Sequence, residues 1–96
     1  MPCFIATLHI KPGREAEFEK LQAELSKETH EQEPDCRVYD IIRHRERTDT
    51  YIVYGRFRDE AAFQLHMNAP FHHRLVPGIL DCVQGEMDLQ FYDWKA

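Results

Sequence analysis

The fold of this 96-residue chain is decided by residues 36–58, which read CRVYDIIRHRERTDTYIVYGRFR. Two runs rich in β-branched and aromatic residues, 36–44 and 50–58, flank the polar segment 45–49. Such residues favour extended backbone, and two such runs joined by a short polar segment are typical of a hairpin. The stretch therefore predicts an antiparallel β-hairpin with a loop of medium length.

The residues before the hairpin predict one strand and one helix. Residues 3–10 are rich in strand formers and stop at a turn signal, the KPG of residues 11–13. In residues 14–29, apolar side chains recur at helical spacing between Phe18 and Leu25, with charged residues on the other side. We expect an amphipathic helix there.

The residues after the hairpin predict helical structure and a last strand. Asp59 is a good N-cap for a helix that runs to about Asn68. Pro70 can start another short helix, which we expect to end at residues 77–78. Residues 82–92 alternate between apolar and polar side chains, which predicts a strand with one buried and one wetter face.

The resulting order, β-α-β-β-α-β, predicts a ferredoxin-like α+β fold in a single domain, residues 1–96. With right-handed crossovers it closes into a four-stranded antiparallel sheet with helices on one face. Two helices cover only one face of such a sheet, yet the hairpin strands carry apolar residues at both odd and even positions. We therefore expect a homodimer in which a two-fold partner covers the second face.

The composition excludes several classes of protein. The chain has 12 Lys and Arg against 17 Asp and Glu, a net charge of -5, which argues against binding to nucleic acid. No apolar run is long enough to span a membrane, and the first residues lack the pattern of a secretory signal. Three widely spaced cysteines fit buried free thiols. We expect a cytoplasmic protein.

His66 is the most informative candidate for a functional residue. With Asp59 as the cap, Phe63 and His66 share the helical face that should turn towards the sheet. The pKa of an imidazole lies near neutrality and burial favours its neutral form, so His66 could act as a general base. The sequence leaves open the alternative that His66 is a core residue hydrogen-bonded to a backbone carbonyl.

His72 and His73 follow closely, but their spacing from His66 matches no standard helical zinc pair, and we predict no metal site. Because adjacent residues on a helix point in different directions, at most one of the two can line a pocket. The hairpin supplies four candidate hydrogen-bond donors to a pocket, with packing or surface positions as the alternative: Tyr39, Tyr51, Tyr54 and Arg56. Asp40 of the hairpin is expected to pair with an arginine such as Arg56, with a role as an acid or base as the alternative.

Several segments together resemble the antibiotic biosynthesis monooxygenase (ABM) domain family. Residues 57–66, FRDEAAFQLH, followed by NAPF at 68–71, resemble the start of the family's second helix, its helix histidine and the break after it. KPGREAEF at residues 11–18 is similar to the family's strand-to-helix junction. The EPDC of residues 33–36, with Tyr39, is similar to its turn into the second strand.

The resemblance implies a dimeric α/β barrel with a pocket between sheet and helices. It implies a cofactor-independent monooxygenase that oxidises a small aromatic quinol or phenol with dioxygen, using His66 as the base or positioning group. The substrate-binding residues under this hypothesis are His72, His73, Tyr39, Tyr54, Phe63 and Phe71. Two alternatives stay open: an isomerase of small metabolites that uses His66 for proton transfer, and a non-catalytic, stress-associated dimer that binds a ligand.

Overall fold

Four strands and three helices follow one another in a computed structural model that describes residues 1–96. Their bounds are β1 (Pro2–His9), α1 (Glu15–Gln32), β2 (Cys36–Arg43), β3 (Thr50–Phe57), α2 (Glu60–Met67), α3 (Pro70–Asp81) and β4 (Asp88–Asp93). The predicted ferredoxin-like α+β fold is confirmed, with the second helical segment divided into α2 and α3. None of the helices has the length and apolar character needed to cross a membrane.

The strands form one antiparallel sheet in the order β2-β3-β1-β4. Phe4 of β1 pairs with Gly55 of β3 on one side and with Phe91 of β4 on the other. Gly55 is required at its position, because a Cβ there would overlap the ring of Phe4. The missing side chain lets the Phe4 ring lie against the backbone of β3.

The helix-facing side of the sheet supplies half of the core. β1 contributes Phe4, Ala6 and Leu8 to this side, and β3 contributes Val53 and Phe57. From the helices, the buried residues include Phe18, Leu25, Ala62, Phe71, Leu75 and Ile79. The predicted stripe of α1 therefore packs on the sheet as its spacing indicated.

The start of α2 agrees with the prediction, whereas the end of α3 does not. Asp59 Oδ1 accepts a hydrogen bond from the Ala62 backbone N–H at 2.9 Å, so Asp59 is the N-cap of α2. α3 begins at Pro70, as expected, but it continues through Pro77 to Asp81 instead of ending at residues 77–78. Pro77 is exposed, so water can satisfy the carbonyl group that its ring leaves without a donor.

The last strand is shorter than predicted. Cys82 is the C-cap of α3 and Val83 forms an isolated bridge with Ile10, so the regular strand begins only at Asp88. Every residue of β4 is exposed, so this strand does not have the buried face that we expected. β4 is an edge strand that pairs with β1 alone, and the helices pack mainly on the half of the sheet formed by β2 and β3.

The sheet face away from the helices is rich in apolar side chains. Register places Ile5, Ile52 and Tyr54 on this open face, together with the strongly exposed Ile42 and Tyr92. The expectation of apolar residues on both sides of the hairpin is therefore confirmed.

The predicted ion pair between Asp40 and Arg56 on that open face is wrong. Asp40 is exposed and forms no ion pair, while the Arg56 guanidinium lies 4.4 Å from the ring centroid of Trp94. Arg56 Nε is buried without a hydrogen-bond partner. Stacking on the indole ring therefore takes the place of the expected charge pairing.

Candidate functional site

A cavity of about 160 Å³ lies between the sheet and the helices. Fourteen of its 17 lining residues are hydrophobic, and the aromatic rings of Phe4, Phe63 and Phe91 form part of its wall. The non-hydrophobic side chains that reach it are Gln22, His66 and His72. An apolar chamber with a few polar groups is the usual form of a small-molecule site.

His66 is held at the wall of this cavity by a buried carboxylic acid. The helical spacing from Asp59 turns His66 inwards, and only 1% of the residue is exposed. Its Nδ1 lies 2.9 Å from Oε1 of Glu33, which is the C-cap of α1 and is itself 5% exposed. The histidine is buried as the alternative interpretation expected, but its partner is a side-chain carboxyl group and not a backbone carbonyl.

Burial acts on both members of this pair. It lowers the pKa of His66 to about 4, with a further contribution from the neighbouring His72, and it raises the pKa of Glu33 to about 7. The imidazole is therefore neutral around pH 7 and carries one proton. Because Nδ1 faces Glu33, the second ring nitrogen, Nε2, is the one left free of protein hydrogen bonds.

A second polar pair lies across from the histidine. Gln22 Nε2 donates a hydrogen bond to the Tyr39 hydroxyl oxygen at 3.3 Å, and the Tyr39 ring centroid is 5.0 Å from that of His66. Burial raises the pKa of the Tyr39 phenol, so it stays protonated and its O–H is available as a donor. Two neutral hydrogen-bonding groups, a phenol and an imidazole, thus face the same apolar space.

A model of the antibiotic biosynthesis monooxygenase family matches residues 1–77, four fifths of the chain. The protein belongs to this family. The match includes Gln22, Glu33, Tyr39, His66 and His72, and it ends before β4. No curated protein matches the chain in sequence.

Solved structures share the ABM fold over nearly the whole chain. One, described as an antibiotic biosynthesis monooxygenase, is 27% identical with a TM-score of 0.90 and covers 100% of both chains. A conserved protein from Methanosarcina mazei is 22% identical, with a TM-score of 0.91 and coverage of 98% of this chain and 92% of that one. A Pseudomonas aeruginosa protein is 23% identical, with a TM-score of 0.86 and coverage of 99% and 94%. The last two show the fold alone.

The structure brings four of the seven predicted site residues of this ABM protein to the cavity: His66, His72, Tyr39 and Phe63. The other three lie elsewhere. Phe71 is buried in the core, with its ring centroid 6.4 Å from that of His66, but it does not line the cavity. His73 is exposed, so His72 is the member of the adjacent pair that reaches the cavity.

Tyr54 lies on the open face of the sheet, opposite the cavity. It follows Val53, whose side chain lines the cavity, and successive residues of a strand point to opposite faces. Its prediction as a substrate-binding residue does not fit this single chain. The hairpin tyrosine that does reach the cavity is Tyr39.

Two polar residues of the site, Gln22 and Glu33, were not predicted from the sequence. Gln22 shares the helical face of Phe18 and Leu25, so its position on the apolar stripe could have predicted that its side chain is buried. Glu33 lies at the carboxyl end of α1, where the helix dipole disfavours negative charge. An acid at that position, followed by Pro34, is unusual enough to suggest that it has a partner elsewhere in the fold.

The histidines are not arranged as a metal centre. The ring centroids of His66 and His72 are 4.8 Å apart, but His73 is turned towards solvent. No group of three or more His, Cys, Asp or Glu side chains has the geometry to hold a metal ion. The chemistry that the site offers is proton transfer and hydrogen bonding in an apolar space.

Proposed function

We propose that this protein is a cofactor-independent monooxygenase that oxidises a small, neutral phenol or hydroquinone with dioxygen. The observation that carries the proposal is His66, paired with Glu33, at the wall of a mostly apolar cavity. His66 Nε2 is the general base that removes the hydroxyl proton of the ligand. His72, Tyr39 and Phe63 would contact the bound ring.

The electrons for oxygen activation come from the substrate in this proposal. The deprotonated ring passes one electron to dioxygen, and the resulting superoxide and ring radical combine at a ring C–H carbon to form a hydroperoxide. Loss of water leaves a carbonyl group at that carbon, so one oxygen atom enters the product and the other leaves as water. A phenol thereby becomes a quinone and dioxygen is fully reduced, with no further reductant.

The charge and size of the cavity support a neutral, single-ring substrate. No lysine or arginine lines it, so a carboxylate or phosphate would lose its hydration there without gaining a counter-charge. Its volume of about 160 Å³ is close to that of an engineered apolar cavity of roughly 150 Å³ that binds benzene in another protein.

The same base also fits the second candidate function, an isomerase that moves a proton within a small metabolite. The free Nε2 of His66 favours this alternative as much as the first, because both reactions begin with proton removal. The lack of a cation in the cavity argues against phosphorylated metabolites for either reaction. Oxygen consumption separates the two, since isomerisation uses none.

Oxygen uptake by the purified, metal-free protein tests the proposal. We expect neutral single-ring hydroquinones to drive uptake well above a protein-free autoxidation blank, with reduced naphthoquinols and anthrones tested beside them. Carboxylated analogues of the same rings should stay near the blank. Uptake at the blank rate across the whole panel would contradict the oxygenase proposal, and substrate conversion without uptake would favour the isomerase.

We also propose that the protein functions as a homodimer whose partners meet at the open sheet face. Ile42, Ile52 and Tyr54 give this face an apolar surface that no helix of the chain covers. A patch of this kind on a soluble chain usually marks an interaction site. A two-fold partner offers the same surface in return and so covers both copies at once.

Sedimentation at micromolar concentration should give about 23 kDa, twice the 11.4 kDa of the chain. Ile42→Asp places a charge on the open face and should shift the mass towards the monomer. Leu65→Asp is the matched control, because Leu65 is 61% exposed on α2 and Ile42 is 60% exposed on β2. A monomer for the unaltered protein, or equal effects of both substitutions, would contradict the proposed interface.

A further inference from the structure

Glu33 is buried in a way that favours a protonated carboxyl group. Its Oε1 faces His66 Nδ1, but its Oε2 is buried without any hydrogen-bond partner, and the residue is 5% exposed. No lysine or arginine forms an ion pair with it. An ionised carboxylate with one unsatisfied oxygen in such surroundings is costly, whereas a neutral acid with one orphan oxygen costs less.

The other titratable groups around the pair do not ionise near neutral pH. From β2, burial raises the pKa of Cys36 to about 12 and also raises the pKa of Tyr39. From α3, burial lowers the pKa of His72, which keeps that ring neutral. β3 presents the apolar ring of Phe57, whose centroid lies 5.3 Å from that of His66. Glu33 is therefore the group of this cluster that changes charge around pH 7.

The protonation of Glu33 fixes what His66 presents to the cavity. When Glu33 is protonated, its O–H donates to Nδ1, so the single imidazole proton sits on Nε2 and the cavity faces an N–H donor. When Glu33 is ionised, Nδ1–H donates to the carboxylate and the cavity faces the lone pair of Nε2. The geometry is the same in both states, because the same two atoms remain 2.9 Å apart.

We infer that Glu33 is the positioning residue of the site: it sets the tautomer of His66 and receives the Nδ1 proton when Nε2 removes one from a ligand. The second half of this statement rests on the proposed function, because it needs a ligand with an acidic hydroxyl group. The first half is a property of the free protein.

This proton relay from the ligand through His66 to Glu33 consists of two proton transfers, with no net change in charge. The ligand O–H bond breaks and an Nε2–H bond forms, while the Nδ1–H bond breaks and an Oε1–H bond forms. The negative charge moves from Glu33 to the ligand oxygen, and the imidazole is neutral before and after. Without the second transfer the site would hold an imidazolium between two anions, the Glu33 carboxylate and the ligand oxygen, and burial disfavours three charges in the same apolar space. The proton is then stored on Glu33, away from the reacting ring.

Nitrogen-15 NMR of the histidine rings tests the tautomer switch without any substrate. In the unaltered protein we expect His66 to change from the Nε2–H to the Nδ1–H tautomer as the pH rises from 5.5 to 8.5, with a midpoint near the Glu33 pKa of about 7. His66→Gln identifies the His66 signals among those of the six histidines. A His66 ring that keeps one tautomer across this range, or that becomes an imidazolium, would overturn the inference.

Glu33→Gln and Glu31→Gln form a matched pair for the role of the carboxyl group. In Glu33→Gln the new amide keeps a hydrogen-bonding group beside Nδ1 but cannot ionise, so the His66 tautomer should no longer depend on pH. Glu31 is exposed on α1 two residues earlier, and its replacement should leave the titration unchanged. The same pH dependence in Glu33→Gln as in the unaltered protein would show that another group controls His66.

The relay itself is tested by the pH profile of kcat/KM for oxygen uptake. Because the base form rises from about one tenth to nine tenths between pH 6 and pH 8, kcat/KM should rise about tenfold over that range. In Glu33→Gln it should change less than twofold, and a full tenfold rise there would overturn the relay. A tautomer switch seen by NMR in a protein without oxygen uptake would uphold the positioning role and refute the oxygenase proposal alone.

Discussion

Replacing His66 with glutamine is expected to lower substrate-dependent oxygen uptake by about 10²–10⁴-fold, the usual contribution of a general base. Glutamine has a similar length and keeps a polar group near Glu33, but it has no basic nitrogen to accept the hydroxyl proton. The neutral ligand would then have to transfer an electron to dioxygen without first becoming an anion. The measurement is the rate above the autoxidation blank, with the folded state checked by circular dichroism.

His73→Ala is the control for this prediction. His73 lies on α3 next to His72, but it is exposed and does not line the cavity, so its removal should change the rate less than about twofold. Equal losses in both variants would mean that histidine replacement disturbs the fold in general. An unchanged rate in a folded His66→Gln protein would remove the imidazole from the mechanism.

Replacing Phe57 with alanine is expected to lower the free energy of unfolding by about 3–5 kcal/mol, the range for deleting a fully buried aromatic ring. Phe57 is 0% exposed at the end of β3. Its ring centroid lies 5.3 Å from that of His66 and 5.4 Å from that of Phe63. Removing the ring leaves a hole behind the cavity wall, so α2 loses its support on the sheet. Urea denaturation at fixed protein concentration measures the loss.

Phe91→Ala makes the same chemical change at a site where little burial is lost. Phe91 is 62% exposed on the edge strand β4, although its ring also contacts Phe63 at a centroid distance of 5.9 Å. We expect a loss of about 1 kcal/mol or less from this variant. If the two variants destabilise the protein equally, burial of Phe57 is not what holds the cavity wall in place.

The buried pair links the stability of the protein to its proposed activity. A carboxyl group with an unsatisfied oxygen and a histidine in an apolar wall each oppose folding, and Phe57, Phe4 and the other core rings offset that cost by their own burial. Buried groups with shifted pKa values cluster at functional sites. The Glu33–His66 pair fits this pattern, since burial is what raises the pKa of Glu33 to about 7.

The sequence alone was sufficient for the elements and their order. The hairpin of residues 36–58, the stripe of α1 and the Asp59 cap are local patterns, because each depends on residues a few positions apart. The same periodicity turned His66 inwards and placed Phe63 beside it. The boundaries depend on packing as well: the strand predicted from Cys82 begins at Asp88, because Cys82 caps α3 and Val83 bridges Ile10.

The tertiary structure decided which polar groups meet. Glu33 and His66 are 33 positions apart, and they meet only because the fold brings α2 close to the C-cap of α1. A register shift between Cys36 and Val38 turns Tyr39 to the helix side, whereas Tyr54 faces away. Alternation along a strand is a local property, but which parity faces the helices depends on pairing across the sheet. The sequence by itself therefore determined the scaffold and the histidine, while packing determined its acidic partner and the tyrosine beside it.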